Sequence, residues 1–281
     1  MSPTISTLAE NEVHSRATLP SDMAGYVCPK CNGALSLAAD ALRCDSCRRT
    51  YPVRNRIPDF ICDDLRQSEN FSLRHSTWFD WLAPIYETRL WYPVVMRLAG
   101  VKGISSLPEL LTTVEQATGT VSGHVLDVAC GPGTFGRRLA PHAESVYGID
   151  ISFGMLEQGS AYALRENVPN MHFARAQVES LPFASGTFAV AVCCGSLHLF
   201  ADAGLALREI ARTMRPGAVF VGFTFADTDS RFSRFSRRHG ARLFVTTELS
   251  GLLNNAGFED HSFRVFGSAL LWSAHRKGVT R

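Results

Sequence analysis

The chain has 281 residues, a formal net charge of +2, 46% hydrophobic residues and 19% charged residues. That length allows one large domain and a smaller one, and the near-neutral balance lacks the basic excess of a dedicated nucleic-acid binder. No apolar run approaches the roughly 18 residues that cross a bilayer, so no membrane partner is expected. Residues 1–24 hold no apolar core of a secretory signal and are read as a flexible tail. The eight cysteines sit at 28, 31, 44, 47, 62, 130, 193 and 194, four clustered and four scattered in apolar surroundings. Without a signal sequence, that usage points to a reducing, cytoplasmic setting.

The first module is expected over residues 25–62. "CPKC" and "CDSC" place Cys28, Cys31, Cys44 and Cys47 in two Cys-x-x-Cys pairs, twelve residues apart. Each pair can form a knuckle, and the hairpin between them brings four thiolates to one tetrahedral Zn2+, one per chain. Four thiolates leave no open coordination position, so the zinc is read as structural. A redox pair is the rival, but nothing here sets a Cys-x-x-Cys on a thioredoxin-like turn.

Residues 63–122 read as a linker followed by lid helices. Trp78, Phe79, Trp81, Leu82, Ile85 and Tyr86 recur at helical spacing. Packing within a helix is the plain reading for most of these aromatics.

From residue 123 to 281 short apolar runs alternate with helix-length segments. "HVLDVA", "SVYGIDI", "MHFARA", "TFAVAVCC" and "AVFVGFTF" are predicted strands, with helices over Gly133–Ala140, Phe153–Glu166, Ala203–Met214 and Thr247–Ala256 between or after them. "FEDHSFRVF" and "SALLWSAH" follow one another without a helix, which predicts a terminal antiparallel hairpin. The pattern is α/β: a Rossmann-like, mostly parallel sheet of seven strands with helices on both faces, preceded by the cysteine module.

"VLDVACGPGTFG" puts a strand end, a tight turn and a helix start in succession. Ligands of open α/β sheets bind outside the carboxyl ends of the strands, and glycines there allow close approach. Asp150 stands at the tip of the next strand, where a carboxylate can accept the hydroxyls of a ribose. Gly131-x-Gly133-x-x-Gly136 alone fits a dinucleotide as well as S-adenosylmethionine. Asp127, inside the strand before the turn, favours the latter, because a pyrophosphate gains nothing from a nearby carboxylate.

Taken together, "LDVACGPGTF", "VYGIDIS", "AQVESLPFASGTFAVAVCCGSLHLFAD" and "EIARTMRPGAVFVGFTF" resemble a class I S-adenosylmethionine-dependent methyltransferase, of the ubiquinone/menaquinone-biosynthesis type. The resemblance covers residues 124–225. It implies that Asp127, Gly131 and Gly133 line the methionine end, with Ala129 at a position where glycine is common. It further implies that Asp150, with Ile151, holds the ribose and that Gln177 and Val178 flank the adenine. Gly195 would open the loop facing the methyl group. Gln177 departs from the usual Asp, but its carbonyl can still accept from the adenine amino group.

Methyl transfer needs a base only when the acceptor carries a proton that must leave. His198 in "GSLHLF" is the candidate, with loop packing as the plain alternative. Tyr86 resembles the aromatic of a lid helix that closes over the cofactor. Arg231, Arg234 and Arg238 recur in a cap insertion near residues 227–246; a solvated face, an anion clamp and an RNA contact all fit. "CRRTYPVRNRIPDFI" resembles the zinc-ribbon ends that precede large-subunit rRNA guanine N1-methyltransferases. A small-molecule acceptor, methylated at carbon, oxygen or nitrogen, is the first reading. Methylation of an rRNA or tRNA base is the second. The oligomeric state is open.

Overall fold

The structure is a computed structural model that describes residues 25–61, 80, 83, 86–88, 91–228 and 230–278. The expected tail (1–24), Cys62 and the linker after it, and Trp78, Phe79, Trp81, Leu82 and Ile85 of the expected lid lie outside the described residues.

The first module holds four short antiparallel strands in chain order: β1 (Leu35–Ala38), β2 (Ala41–Cys44), β3 (Thr50–Arg54) and β4 (Ile57–Pro58). Two helices follow, α1 (Trp91–Ala99) and α2 (Leu107–Thr118). Ser106 caps α2 by accepting from the Glu109 N–H, and Glu109 reaches back to the Ser105 N–H at 2.9 Å, the reciprocal pattern that fixes a helix start.

The large sheet is built from β5 (His124–Val128), β6 (Ser145–Asp150), β7 (Met171–Arg175), β8 (Phe188–Cys194), β9 (Met214–Phe225), β10 (Phe258–Val265) and β11 (Ala269–Arg276). Its order is β10-β11-β9-β8-β5-β6-β7. The pairs among β7, β6, β5, β8 and β9 are parallel, and β11 runs antiparallel to both β9 and β10. The seven strands and the terminal hairpin are therefore as expected. The central strands are near-continuous apolar runs because both faces are covered: Val125, Leu126, Val190, Ala191 and Val192 are almost fully buried. β9 starts at Met214, earlier than the expected Ala218, because the strand continues through Pro216–Gly217 with a register shift against β8.

Helices α3 (Thr134–Leu139), α4 (Phe153–Arg165), α5 (Ala203–Thr213), α6 (Arg231–Arg238) and α7 (Thr246–Ala256) complete the described fold. Side-chain caps start three of them. Ser152 accepts from the Met155 N–H, Asp202 from Leu205, and Ser230 from Ser233. Helix α5 buries Ala206, Leu207 and Ile210 along one stripe, the period of an amphipathic helix on a sheet.

Two apolar clusters lie on the two faces of the sheet. One gathers residues of α1, α2, α3 and α4. The other gathers α5 and α7, and it continues into the first module through Tyr26, Leu35, Leu42, Tyr51 and Phe60. The β7-to-β8 connection carries no helix, so the face of β6 beside it needs another cover. The module supplies one: Tyr26 packs 5.6 Å from the Tyr147 ring and 5.4 Å from Phe183.

Candidate functional site

A cleft opens at the carboxyl ends of β5, β6, β7 and β8. Its lining includes Tyr86, Ala129, Gly131, Asp150, Ile151, Gln177, Val178 and Gly195. Eight of the sequence-derived residues thus converge on one cavity. Ile149, Met155, Ala176, Glu179, Ser196, Leu199 and Phe200 complete the wall.

The turn after β5 is shaped by left-handed backbone. Ala129, Gly131 and Gly133 have φ of 50°, 54° and 74°. Glycine adopts this region freely, whereas Ala129 holds it at a cost of about 1 kcal/mol. The conformation of Ala129 explains why glycine is common at that position. A Cβ on Gly133 would meet the Phe173 ring at 2.9 Å, so this glycine is required by packing as well as by φ.

Asp150 organises the mouth of the turn. Its Oδ2 accepts from the Gly131 N–H at 2.8 Å and its Oδ1 from the Ser152 N–H at 2.9 Å. Burial pushes its carboxyl above the ordinary value, opposed by those N–H groups. Asp150 itself lines the cleft. Gln177 is 6% exposed, and its Nε2 has no hydrogen-bond partner. A buried amide donor left without a partner costs about 1–3 kcal/mol.

Three sequence-derived residues stand behind this wall and are not among its lining. Asp127 is 1% exposed beneath the turn, where its Oδ2 accepts from the Gly136 N–H at 2.7 Å. Burial raises its carboxyl to about 7, with the Gly136 N–H opposing and the Asp150 charge adding to the rise. Gly133 faces Phe173 and Met171 rather than the cavity. His198 lies in a short 3-10 turn (Leu197–Leu199) with its Nδ1 3.2 Å from Thr224 Oγ1 and its ring edge-on to Phe225. Burial pushes the imidazole down to about 4, so it is neutral across the physiological range. The neighbouring Leu199, not His198, reaches the lining.

Several positioning groups were not singled out in the sequence. Glu87, next to Tyr86, hydrogen-bonds Thr134 and pairs with Arg137 on α3. Arg137 is 7% exposed, pairs with Glu166 at 2.5 Å and lies over the Tyr162 ring. Asp80 Oδ1 accepts from the Ser152 hydroxyl and from the Gly154 N–H at 2.9 Å. These links tie the segment carrying Tyr86 to the starts of α3 and α4. Burial, and next the Asp150 charge, push the Tyr86 phenol upward, so it stays protonated.

At the other end of the chain, Cys28, Cys31, Cys44 and Cys47 have their Sγ atoms within 4.8 Å of one another. Cys28 and Cys47 lie 3.6 Å apart and Cys31 and Cys44 3.5 Å. Zinc–sulfur bonds of about 2.3 Å place tetrahedral sulfurs about 3.8 Å apart, so the thiol set fits such an ion. Tyr51 Oη lies 3.1 Å from Cys28 Sγ and the Cys47 N–H points at Cys44 Sγ at 3.4 Å, the outer partners typical of a thiolate site.

Residues 125–217 match the family described as a methyltransferase domain. This region is a methyltransferase domain. An uncharacterised chloroplast methyltransferase of Arabidopsis thaliana is 29% identical over 208 residues, 69% of this chain and 57% of that protein. A malonyl-[acyl-carrier protein] O-methyltransferase of Legionella pneumophila is 36% identical over 94 residues, 32% of each chain. The chain thus spans less than two thirds of the length of these curated relatives. Among solved structures, the [4+2]-cyclase SpnF aligns with a TM-score of 0.60 at 19% identity, over 73% of this chain and 96% of that one. That likeness concerns the fold of the methyltransferase domain, and its cyclase shows that the fold hosts more than one chemistry.

Proposed function

We propose that the protein uses S-adenosylmethionine to methylate a small-molecule acceptor. The observation that carries this reading is the cleft of the methyltransferase domain, where Gly131, Asp150 and the unpartnered Gln177 amide share one wall. When bound, the cofactor supplies an electrophilic methyl group on a sulfonium.

The chain's own residues position and exclude water. Asp150 accepts the ribose hydroxyls through its remaining lone pairs, with Ile151 alongside. Gln177 and Val178 flank the adenine, and the Gln177 amide gains the partner it lacks. Gly131 and Ala129 let the backbone approach the methionine end. Asp127 acts from behind the turn by holding the Gly136 N–H. Tyr86, Leu199 and Phe200 close the apolar side, and Gly195 leaves space where a Cβ would meet nothing within 4 Å. His198 serves as a positioning residue for the Leu197–Leu199 turn: neutral and behind the wall, it offers only weak basicity. Transfer therefore rests mainly on alignment of donor and acceptor.

A small acceptor is supported by the mainly apolar lining of the cleft. The exposed Arg231, Arg234 and Arg238 on α6 support RNA as the second reading. Incubation with methyl-labelled S-adenosylmethionine and separated cell extracts distinguishes the two. Label is expected in the low-molecular-weight fraction; label confined to RNA would overturn the first reading. We propose further that the four thiolates hold one structural zinc, and metal analysis of the purified protein is expected to give about one zinc per chain.

A further inference from the structure

The four-cysteine module touches the methyltransferase domain at a particular place. The segment Ala176–Glu179 forms one wall of the cleft, and the module grips the chain on both sides of it. On the entry side, the Phe60 N–H donates to the Arg175 carbonyl at 2.7 Å, and Asp59 bridges Arg175 in parallel strand fashion. On the exit side, the Ser180 hydroxyl donates to the Pro29 carbonyl at 3.3 Å and the Val27 N–H to the Pro182 carbonyl at 2.9 Å. Pro29 lies inside the first knuckle, between Cys28 and Cys31. The knuckle geometry and the wall of the cleft are therefore separated by a single hydrogen bond.

A side-chain link reinforces the entry side. Asp59 is 1% exposed; its Oδ1 accepts from the Ile61 N–H at 3.1 Å, and its Oδ2 lies 3.1 Å from Arg175 Nη1. The same guanidinium donates through Nε to the Ile151 carbonyl at 2.7 Å. Ile151 lines the cleft between Asp150 and Ser152. One Arg fork thus connects the end of the module to the two loops that carry Asp150 and Gln177. Only a planar guanidinium serves both partners at once; a Lys ammonium at the same place reaches one.

From this geometry we infer that the module is a brace for the cofactor cleft: Asp59 and Arg175 are positioning residues, and the folded knuckle sets cofactor affinity. The module need not touch the acceptor to do so. This inference rests on the proposed use of S-adenosylmethionine and adds a determinant of its binding.

The test is calorimetric titration of S-adenosylhomocysteine into the full chain, with thermal melting of each variant in parallel. Asp59→Asn and Arg175→Lys are each expected to raise Kd roughly 5- to 10-fold, in the range of coupling between linked sites. Because they break the same link, the double variant is expected to be no weaker than the worse single one. Ser180→Ala, which loosens the exit side while leaving the buried ion pair intact, is expected to weaken binding by a smaller factor. Asn55→Ala, which removes an exposed contact between the module and Glu157 on α4, is expected to leave Kd within twofold. Variants that melt lower yet bind as the wild type does would overturn the brace and leave the cofactor reading standing. A wild-type protein that fails to bind at all would overturn the cofactor reading, and the brace with it.

Discussion

Residues 124–276 form a seven-stranded sheet whose central strands are buried on both faces, with α1 and α2 completing the cover of one face. Residues 25–61 offer strands of two to five residues, and their apolar side chains join the sheet's cluster instead of closing one of their own. A segment that small buries too little surface to offset its ordering entropy. The difference shows two routes to rigidity in one chain. The methyltransferase domain is held by area removed from water, and the module by docking, to which the proposed zinc would add a cross-link.

The largest expected effect separates the two routes. Cys44→Ser should abolish zinc retention, since metal binding in such small modules contributes on the order of 10 kcal/mol to their folding. Metal analysis should fall from about one zinc per chain to none, and limited proteolysis should open the module while residues 124–276 stay protected. Simultaneous loss of both regions would break the contrast.

The next effect falls on the methyltransferase domain alone. Gly133→Ala places a Cβ against Phe173 at a left-handed φ and should cost about 3 kcal/mol. Thermal melting should drop with zinc content unchanged.

The pH dependence sharpens the same point. Asp127 is raised from 3.8 to about 7, so its neutral form is favoured in the fold. Its contribution to stability is complete below the ordinary value and is lost as pH rises through about 7. Relative to Asp127→Asn, the wild type should lose melting temperature between about pH 4 and 7, with the difference levelling off above that. Parallel profiles for the two proteins would contradict this. The smallest effect is a gain: Ala129→Gly relieves the left-handed backbone and should stabilise by about 1 kcal/mol, read by chemical denaturation.

The sheet was legible in the sequence because both-face burial leaves continuous apolar runs such as "VAVCC", and because Gly131, Gly133 and Asp150 punctuate the strand ends. Four cysteines with knuckle spacing announced their own convergence. Long-range pairs were not legible. Nothing local to Arg175 distinguishes it from a solvated arginine, yet Asp59 buries against it from the far end of the module. Arg137 stands beside Arg138 in the same helix turn, and only packing decides that the first is buried and the second half-exposed. His198 read as a base because it follows β8 at the ligand-binding end of the sheet. Its rotation toward Thr224 and Phe225 depends on β9, which sequence position does not convey.

Gln177 offers the most direct measurement of whether the cleft is a cofactor site. Its buried Nε2 has no partner in the unliganded fold, so Gln177→Leu should leave the melting temperature unchanged or higher. The same change should weaken S-adenosylhomocysteine binding about tenfold, the worth of roughly one lost hydrogen bond to a ligand. Equal affinity for the two proteins, or no binding by the wild type, would contradict the assignment of the cleft.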